Sequence, residues 1–578
     1  MLITKNIITF TLLLTILYAC SKGAGSDGGN NGGGNSGGGT TAPTDPVTAN
    51  TQGFFLDGWT PKNFTAPAST DTTVPSAAAT AFVTVDASNI ITKVPAPVFG
   101  ANANIWSTQM ITEPVLMAHV KNLKPNVIRF PGGSISDIFF WNALKDVKPA
   151  DAPSMLLNAN GAPSAAGYWY GKNTESWTFS VDNYYNMLQQ TGNEGMITVN
   201  YGYARYGTGI NPVAQAAHLA ADWVRYDNGR TRYWEIGNEC NGTWEAGYRI
   251  NTADNKDGQP QIITGALYGQ HVKVFVDSMQ AAAKSMGKTI YIGAYLLEKQ
   301  PESWQTATDQ SWNNGVLSQS SNKADYYVIH SYYTPYQTNA NADAILTTAS
   351  DNTVAMMNYM KSNIAANGAT VKPIALNEWN ITSQGSMQQV SYVNGMHAAI
   401  LLGEAIKAKY GMTSRWDMAN GWEAGNDHGM FNPGDEPGGV SKWNPRPAFY
   451  YMYYFQKMLG DRMLATSTTG TGLMAYGSSF TSGEKGAIVV NKANTAQTVQ
   501  LTLQNFTPGA RFYWYILTGG SDNGEFSRKV FVNGKGSSEA SGGPAADYTT
   551  LKAYSAVTNG GVKVTMPARS VVYLVMDK

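Results

Sequence analysis

The sequence predicts an α/β fold, a (β/α)8 TIM barrel followed by a C-terminal antiparallel β-sandwich. Three observations predict it. Between about residues 98 and 460, short β-branched and aromatic runs alternate with longer segments whose apolar residues recur at spacings of three and four. After Gly460 helical periodicity stops, and alternating strands separated by Gly-, Asn- and Ser-rich turns take over. The chain has 578 residues, too many for one ordinary domain but suited to a large barrel with a smaller companion.

The N-terminus comes first in the chain. Lys5 precedes an apolar run from Ile7 to Leu17 and then Leu17-Tyr18-Ala19-Cys20. A short basic region, a short apolar region and a small residue before a cut describe a signal peptide rather than a membrane span. The placement of Cys20 resembles a bacterial lipobox, which implies lipidation of that cysteine. Ser21 behind it, in a double-membrane bacterium, implies sorting to the outer membrane. Residues 21–50 carry runs such as Gly28-Gly29-Asn30-Asn31-Gly32-Gly33-Gly34, a coil that buries nothing and reads as a tether.

Residues 51–90 are polar and Thr/Pro-rich, with a strand at Ala81–Val85 expected to join the sandwich. The barrel is expected over 91–460. Its strands read as Val98–Asn104, Val127–Pro131, Met196–Tyr201, Tyr233–Asn238, Thr289–Tyr295, Tyr326–Ser331, Pro373–Glu378 and Ser414–Ala419. Helical patterns lie between them, among others at Glu113–Asn122, Asn211–Tyr226, Thr264–Met286, Ala342–Ala366 and Ser391–Lys409. Eight strands alternating with helices close most simply into a parallel barrel. The sandwich is expected over 461–578, with strands at Gly472–Tyr476, Lys485–Asn491, Thr498–Leu503, Phe512–Leu517, Val562–Met566 and Ser570–Met576.

Composition narrows the function. Lys+Arg and Asp+Glu are 40 each, so no basic field exists to attract nucleic acid. The two cysteines, Cys20 and Cys240, leave no intrachain disulfide if the first is lipidated. The six histidines show no metal-ligand spacing, and neither a catalytic metal nor a cofactor is expected. The 15 Trp and 32 Tyr suit either a large core or the stacking of sugar rings.

Three Asn-Glu pairs are separated by position. Asn193-Glu194 precedes a strand and falls at the N-terminal mouth, where a carboxylate reads as surface. Asn238-Glu239 and Asn377-Glu378 end strands four and seven, at the face where barrel active sites sit. Two facing carboxylates suit glycosidic cleavage, which needs a proton for the leaving oxygen and negative charge beside the oxocarbenium ion. A separation of about 5 Å means retention of anomeric configuration, and about 6.5–9.5 Å inversion.

Around these residues the sequence becomes specific. Trp234-Glu235-Ile236-Gly237-Asn238-Glu239 with Gly242-Thr243-Trp244-Glu245-Ala246-Gly247 resembles the acid/base segment of glycoside hydrolase family 51. Leu376-Asn377-Glu378-Trp379-Asn380 resembles its nucleophile segment, and Ile128-Arg129-Phe130-Pro131-Gly132-Gly133 its second strand. Tyr326–His330 with Tyr332, and Arg446-Pro447-Ala448-Phe449-Tyr450, resemble its sixth strand and eighth helix. The similarity runs in order from about residue 95 to 575. That family holds mainly α-L-arabinofuranosidases with some endoglucanases, so the resemblance implies a retaining mechanism on a polysaccharide or oligosaccharide. It implies Glu239 as acid/base and Glu378 as nucleophile. Arg129 would keep Glu378 charged, Asn238 would bond the sugar 2-OH, Tyr332 would orient Glu378, and His330 would line the pocket. Trp379, Trp244, Trp106 and Trp422 are the candidate stacking platforms.

Two stretches depart from the pattern. Residues 142–190 form a long insertion after strand two, with Trp169 and Trp177. The loop at 420–437 carries Trp422, Glu423, Asp427 and His428. Substrate identity lives in such loops. Three readings therefore stand: an exo-acting α-L-arabinofuranosidase, an endo-acting β-glycanase on the same scaffold, and a surface glycan-binding lipoprotein without catalysis. The Glu239/Glu378 pair with Arg129 favours the enzyme.

Overall fold

A computed structural model describes residues 43–578. The signal peptide, Cys20 and most of the tether therefore lie outside the described residues. The eight strands β1 (Gly100–Asn102), β2 (Val127–Phe130), β3 (Glu194–Val199), β4 (Tyr233–Ile236), β5 (Tyr291–Tyr295), β6 (Tyr326–Tyr332), β7 (Ile374–Asn380) and β8 (Met412–Arg415) close into one parallel barrel in sequence order. The protein is thus a (β/α)8 barrel with a C-terminal sheet domain. The helices α1 (Pro114–Leu123), α2 (Val181–Thr191), α3 (Pro212–Asp227), α4 (Gly265–Ser285), α5 (Ala307–Ser320), α6 (Ala342–Ala366), α7 (Tyr392–Lys407) and α8 (Pro447–Met458) follow the strands one by one.

Local chemistry sets the helix starts. Proline, which has no N–H to lose at a first turn, opens α1, α3 and α8. Side-chain caps open α2, α4 and α6 through Ser180, Thr264 and Asn341. Thr306 and Asp309 form a reciprocal capping box on α5. Helices α2 and α5 are not among the helical stretches named from the sequence; α2 nonetheless buries an apolar face of Val181, Tyr184, Tyr185 and Leu188, whereas α5 is rich in Asn, Ser and Gln and shows no strong apolar stripe.

Several boundaries differ from expectation. Strand β1 is shorter, because Ala96–Val98 forms a 3-10 turn. Strand β8 starts and ends earlier than expected, at Met412 and Arg415. The insertion after β2 ends at Ser180, where α2 begins. It is built from small paired strands, Phe139–Phe140 with Trp169–Tyr170 and Met155–Leu157 with Pro163–Ala165. The compact body begins at Pro43 rather than after residue 50. The reason is ionic: Asp45 pairs with Arg462 at 2.5 Å and with Lys93 at 3.3 Å.

The C-terminal domain is one eleven-stranded sheet rather than a purely antiparallel sandwich. Strand Ala81–Lys93 enters it from the N-terminal side, antiparallel to Arg462–Thr469 but parallel to Gln497–Gln504. A second parallel pairing joins Ser69–Asp71 to Ala553–Val557. Alternation along Lys485–Asn491 explains how the sheet serves two cores. Ala487 and Val489 point into a core of the domain's own, while Ile488 and Val490 join the barrel's core. Tyr573 Oη donates to Tyr451 O of α8, fixing the two domains together.

The N-terminal mouth of the barrel is closed by the 3-10 turn Gly53–Leu56. Phe54 stacks on Tyr291 at 3.7 Å, and Phe55 packs on Tyr233 and Tyr326, the first residues of β4 and β6. Phe55→Ala leaves a cavity there, expected to cost about 3–5 kcal/mol. It should lower the calorimetric unfolding temperature, and any turnover by the folded protein should stay unchanged, because the opposite mouth is untouched.

Candidate active site

The residues of the candidate centre come from the barrel strands and from the turn that follows β4. Arg129, from β2, is fully buried and anchors it. Its Nε donates to Glu235 Oε2 of β4 at 2.8 Å, and Nη1 donates to Glu378 Oε2 at 2.8 Å and to Asn102 Oδ1 of β1 at 3.0 Å. Nη2 donates to Asn238 Oδ1 at 2.8 Å. A guanidinium presents its donors in a rigid fork, so these partners are locked in one arrangement.

Glu378 reaches the centre through a bulge. In the pairing of β6 with β7, Ile329 opposes Leu376 but His330 opposes Glu378, so Asn377 is an extra residue. Asn377 and Glu378 therefore both point into the barrel. Asn377 Nδ2 donates to Glu235 Oε2 at 3.1 Å, and Tyr332 Oη donates to Glu378 Oε1 at 2.8 Å. Trp379 then turns outward into the core, fully buried and tilted against His397. It is therefore no stacking platform, a correction that follows from strand alternation.

Glu239 stands just beyond β4 on a sharp turn. Gly237 has φ +69° and Glu239 itself φ +41°, and Gly242 N donates to Glu239 O at 2.6 Å. A left-handed backbone at a non-glycine residue is costly and clusters at functional sites. Glu239 Oε1 meets His330 Nδ1 at 3.0 Å, and Trp244 Nε1 donates to Oε2 at 3.2 Å. Single ligand atoms of Glu239, His330 and Glu378 all lie within 4.8 Å of one another. The two carboxylates thus face each other at the spacing of a retaining pair.

His330 is the second cation. Burial alone lowers its pKa, but the charge of Glu378 and the hydrogen bonds to Glu235 and Glu239 raise it to about 10. Glu235 is likewise disfavoured by burial, yet Arg129 and then His330 bring it down to about 2. The triad Glu239, His330 and Glu378 has a spacing that a metal would accept. Here the protonated imidazole and Arg129 already supply the positive charge that a cation would bring.

The remaining expected residues fall at different places. Trp244 is 65% exposed on the rim beside Glu239, and Trp106 is 37% exposed. Trp106 lies edge-on to Trp416 at 6.4 Å and continues through Trp169 at 6.5 Å to Trp177 at 5.8 Å. Trp416 itself lies against the turn after β2: a Cβ on Gly133, at φ +61°, would come within 2.7 Å of the indole. Trp422 sits on the loop after β8 with the Arg528 guanidinium 5.0 Å from its ring. No hydrogen bond or ring contact among the described residues links Trp422 to the carboxylates. Glu194, at the N-terminal mouth, forms a bidentate pair with Arg232 at 2.5 and 2.9 Å.

Glu235, Asn102, Asn377 and Thr198 were missed as members of the centre. One signal was available for Glu235, which sits mid-strand in β4: a charged residue inside a barrel strand needs a buried partner. Thr198 Oγ1 donates to its Oε2 at 2.8 Å.

Fold and site together give a barrel with two carboxylates facing each other at its C-terminal face. In its fold the chain is similar to solved glycoside hydrolase family 51 structures. Residues 119–345 match the family described as "Alpha-L-arabinofuranosidase 1 domain", a span that holds Arg129, Glu239 and His330 and stops short of Glu378. A curated intracellular exo-alpha-(1->5)-L-arabinofuranosidase of Streptomyces lividans is 24% identical over 281 residues, 45% of this chain but only 36% of that protein's length. An α-L-arabinofuranosidase from Thermotoga maritima, solved as an arabinose complex, is similar with TM-score 0.58 at 15% identity, over 86% of this chain and 99% of that one. The thermostable family 51 α-L-arabinofuranosidase of Thermotoga petrophila RKU-1 matches with the same values.

The raised pKa of His330 has a stability consequence. From the ordinary value of 6.5 up to about 10, the folded state holds a proton that the unfolded state releases. Its contribution is full below about 6.5 and is lost as pH rises toward 10. The slope is up to about 1.4 kcal/mol per pH unit. Denaturant unfolding between pH 7 and 10 should show wild-type stability falling with pH, and His330→Gln should flatten that fall.

Proposed function

We propose that the chain is a retaining glycoside hydrolase, an exo-acting α-L-arabinofuranosidase on arabinose-containing glycans. The observation that carries this reading is the facing pair Glu239 and Glu378, with ligand oxygens within 4.8 Å of each other. In the first step a Glu378 oxygen attacks the anomeric carbon while Glu239 gives its proton to the departing oxygen. A covalent glycosyl-enzyme results. In the second step Glu239 takes a proton from water, the water oxygen attacks the same carbon, and Glu378 leaves. Two inversions give net retention. Arg129 and Tyr332 hold both Glu378 oxygens, which fixes the aim of the nucleophile. Asn238, already tied to Arg129, would meet the sugar 2-OH.

One observation favours a second reading, an endo-acting β-glycanase. The aromatic line from Trp416 through Trp106 and Trp169 to Trp177 leads away from the centre along the insertion and offers faces to a longer chain. A binding protein without catalysis has no use for a nucleophile fixed by both Arg129 and Tyr332.

The N-terminal sequence supports a lipid-anchored protein at the outer membrane or cell surface, tethered through Cys20. Cys20→Ser should abolish incorporation of labelled fatty acid and move the protein from the membrane fraction to the soluble one. Unchanged partition would sink the anchor.

The activity is tested with wild type and Glu378→Gln on an aryl α-L-arabinofuranoside, arabinan, arabinoxylan and β-glucans. Wild type should release arabinose whose first-formed anomer, read by NMR, retains configuration. Glu378→Gln should lose at least about a thousandfold in kcat/KM. Oligosaccharides without arabinose would favour the endo reading.

A further inference from the structure

Behind the turn that carries Glu239 lie two buried carboxyl groups that the reaction above does not use. Asp137 comes from the 3-10 turn Ser134–Ile138 after β2. Its Oδ1 accepts from the backbone N–H of Tyr201 and Gly202, and its Oδ2 from that of Asn238, each at 3.1 Å. Glu245, beyond the rim tryptophan Trp244, is buried at 4% exposure. Its Oε1 accepts from Ser134 Oγ at 2.8 Å and from Asn238 Nδ2 at 2.9 Å. Its Oε2 is buried without a partner, and among the described residues Glu245 makes no ion pair.

Asn238 is therefore gripped from both ends. Its carbonyl oxygen accepts from Arg129, and its amide nitrogen donates to Glu245. Only this orientation works, because an amide turned end for end would aim its N–H2 at the guanidinium, donor against donor. The acceptor at Glu245 takes the N–H2 that this orientation turns away from Arg129 and so holds the amide from its far end. Arg129 in turn holds Glu378 from the same guanidinium.

We propose that Glu245 is a positioning residue for the hydrolytic reaction: by accepting from Asn238 Nδ2 it fixes that amide toward Arg129, and through Arg129 it fixes the aim of Glu378. The inference rests on the hydrolase reading. The ionisable groups that face Glu245 are Asp137, Glu239 and Cys240, and none brings positive charge. Burial, then Asp137, then Glu239 push its carboxyl well above the usual range, so it serves as a neutral acceptor rather than as an ion. Glutamine, neutral and of the same shape, presents the same oxygen. Methionine fills the space and presents none.

Glu245→Met and Glu245→Gln are compared with wild type and Glu378→Gln on the aryl glycoside, with circular dichroism to check folding. Glu245→Met should lose at least about tenfold in kcat with KM changed by less than about threefold, and Glu245→Gln should restore kcat to within about threefold of wild type. A folded Glu245→Gln as slow as Glu245→Met overturns the inference, because the reaction would then need the proton or the charge of Glu245. So does a Glu245→Met with undiminished kcat. If Glu245→Met does not fold, Glu245→Gln decides alone: retained turnover supports the assignment and a tenfold loss overturns it. When Glu378→Gln is dead and Glu245→Met is not impaired, only the positioning role fails. A wild type that turns over no glycoside removes the hydrolase reading and this inference together.

Discussion

The centre of this protein depends on one buried cation. Arg129 has no exposed surface, and a lone guanidinium in such a place would cost several kcal/mol of lost hydration. Its partners on β1, β4 and β7 and on the turn after β4 offset that cost. Removing Glu235 or Glu378 leaves charge uncompensated, and removing Asn102 or Asn238 leaves a buried N–H without an acceptor, so the arrangement tolerates little drift. Strand ends that would otherwise be joined only by backbone pairing are tied to one side chain. The carboxylate of Glu378 is held as part of the same structural necessity.

Geometry around that cation is produced by two local irregularities, and both break the regular pattern of a strand. The bulge at Asn377 lets two neighbouring residues face inward, so Asn377 serves Glu235 while Glu378 serves Arg129. The turn after β4, with positive φ at Gly237 and Glu239, swings Glu239 across to His330. A perfectly alternating barrel would place one member of each Asn-Glu pair in the wrong layer.

This explains what the sequence could and could not disclose. Barrel strands were legible because each is an apolar run bounded by a helix signal, and Glu239 and Glu378 because they stand at strand ends on the functional face. The role of Glu235 was hidden, since nothing local says that a mid-strand glutamate meets an arginine two strands away. Trp379 was misplaced for the converse reason. It follows Glu378 directly, and only the pairing register shows that the bulge sends it into the core. Helix α5 escaped because tertiary packing, rather than an apolar stripe, holds its polar sequence helical. In the last domain the antiparallel pattern was readable strand by strand. The parallel pairing of Ala81–Lys93 with Gln497–Gln504 depends on a partner some four hundred residues away.

The carboxyl groups of the centre divide by the kind of partner each receives, and that division orders their charge. Glu235 and Glu378 receive Arg129, with His330 close by. Asp137 receives three backbone N–H groups and no cation, and burial leaves its pKa at about 7. Glu245 receives a hydroxyl and an amide, and rises further. Cations are thus confined to the layer in contact with Arg129 and His330, while in the layer behind burial pushes both carboxyls toward the neutral form. Placing backbone and amide donors there, rather than another arginine, keeps the turn that carries Glu239 in shape without adding a further cation behind it.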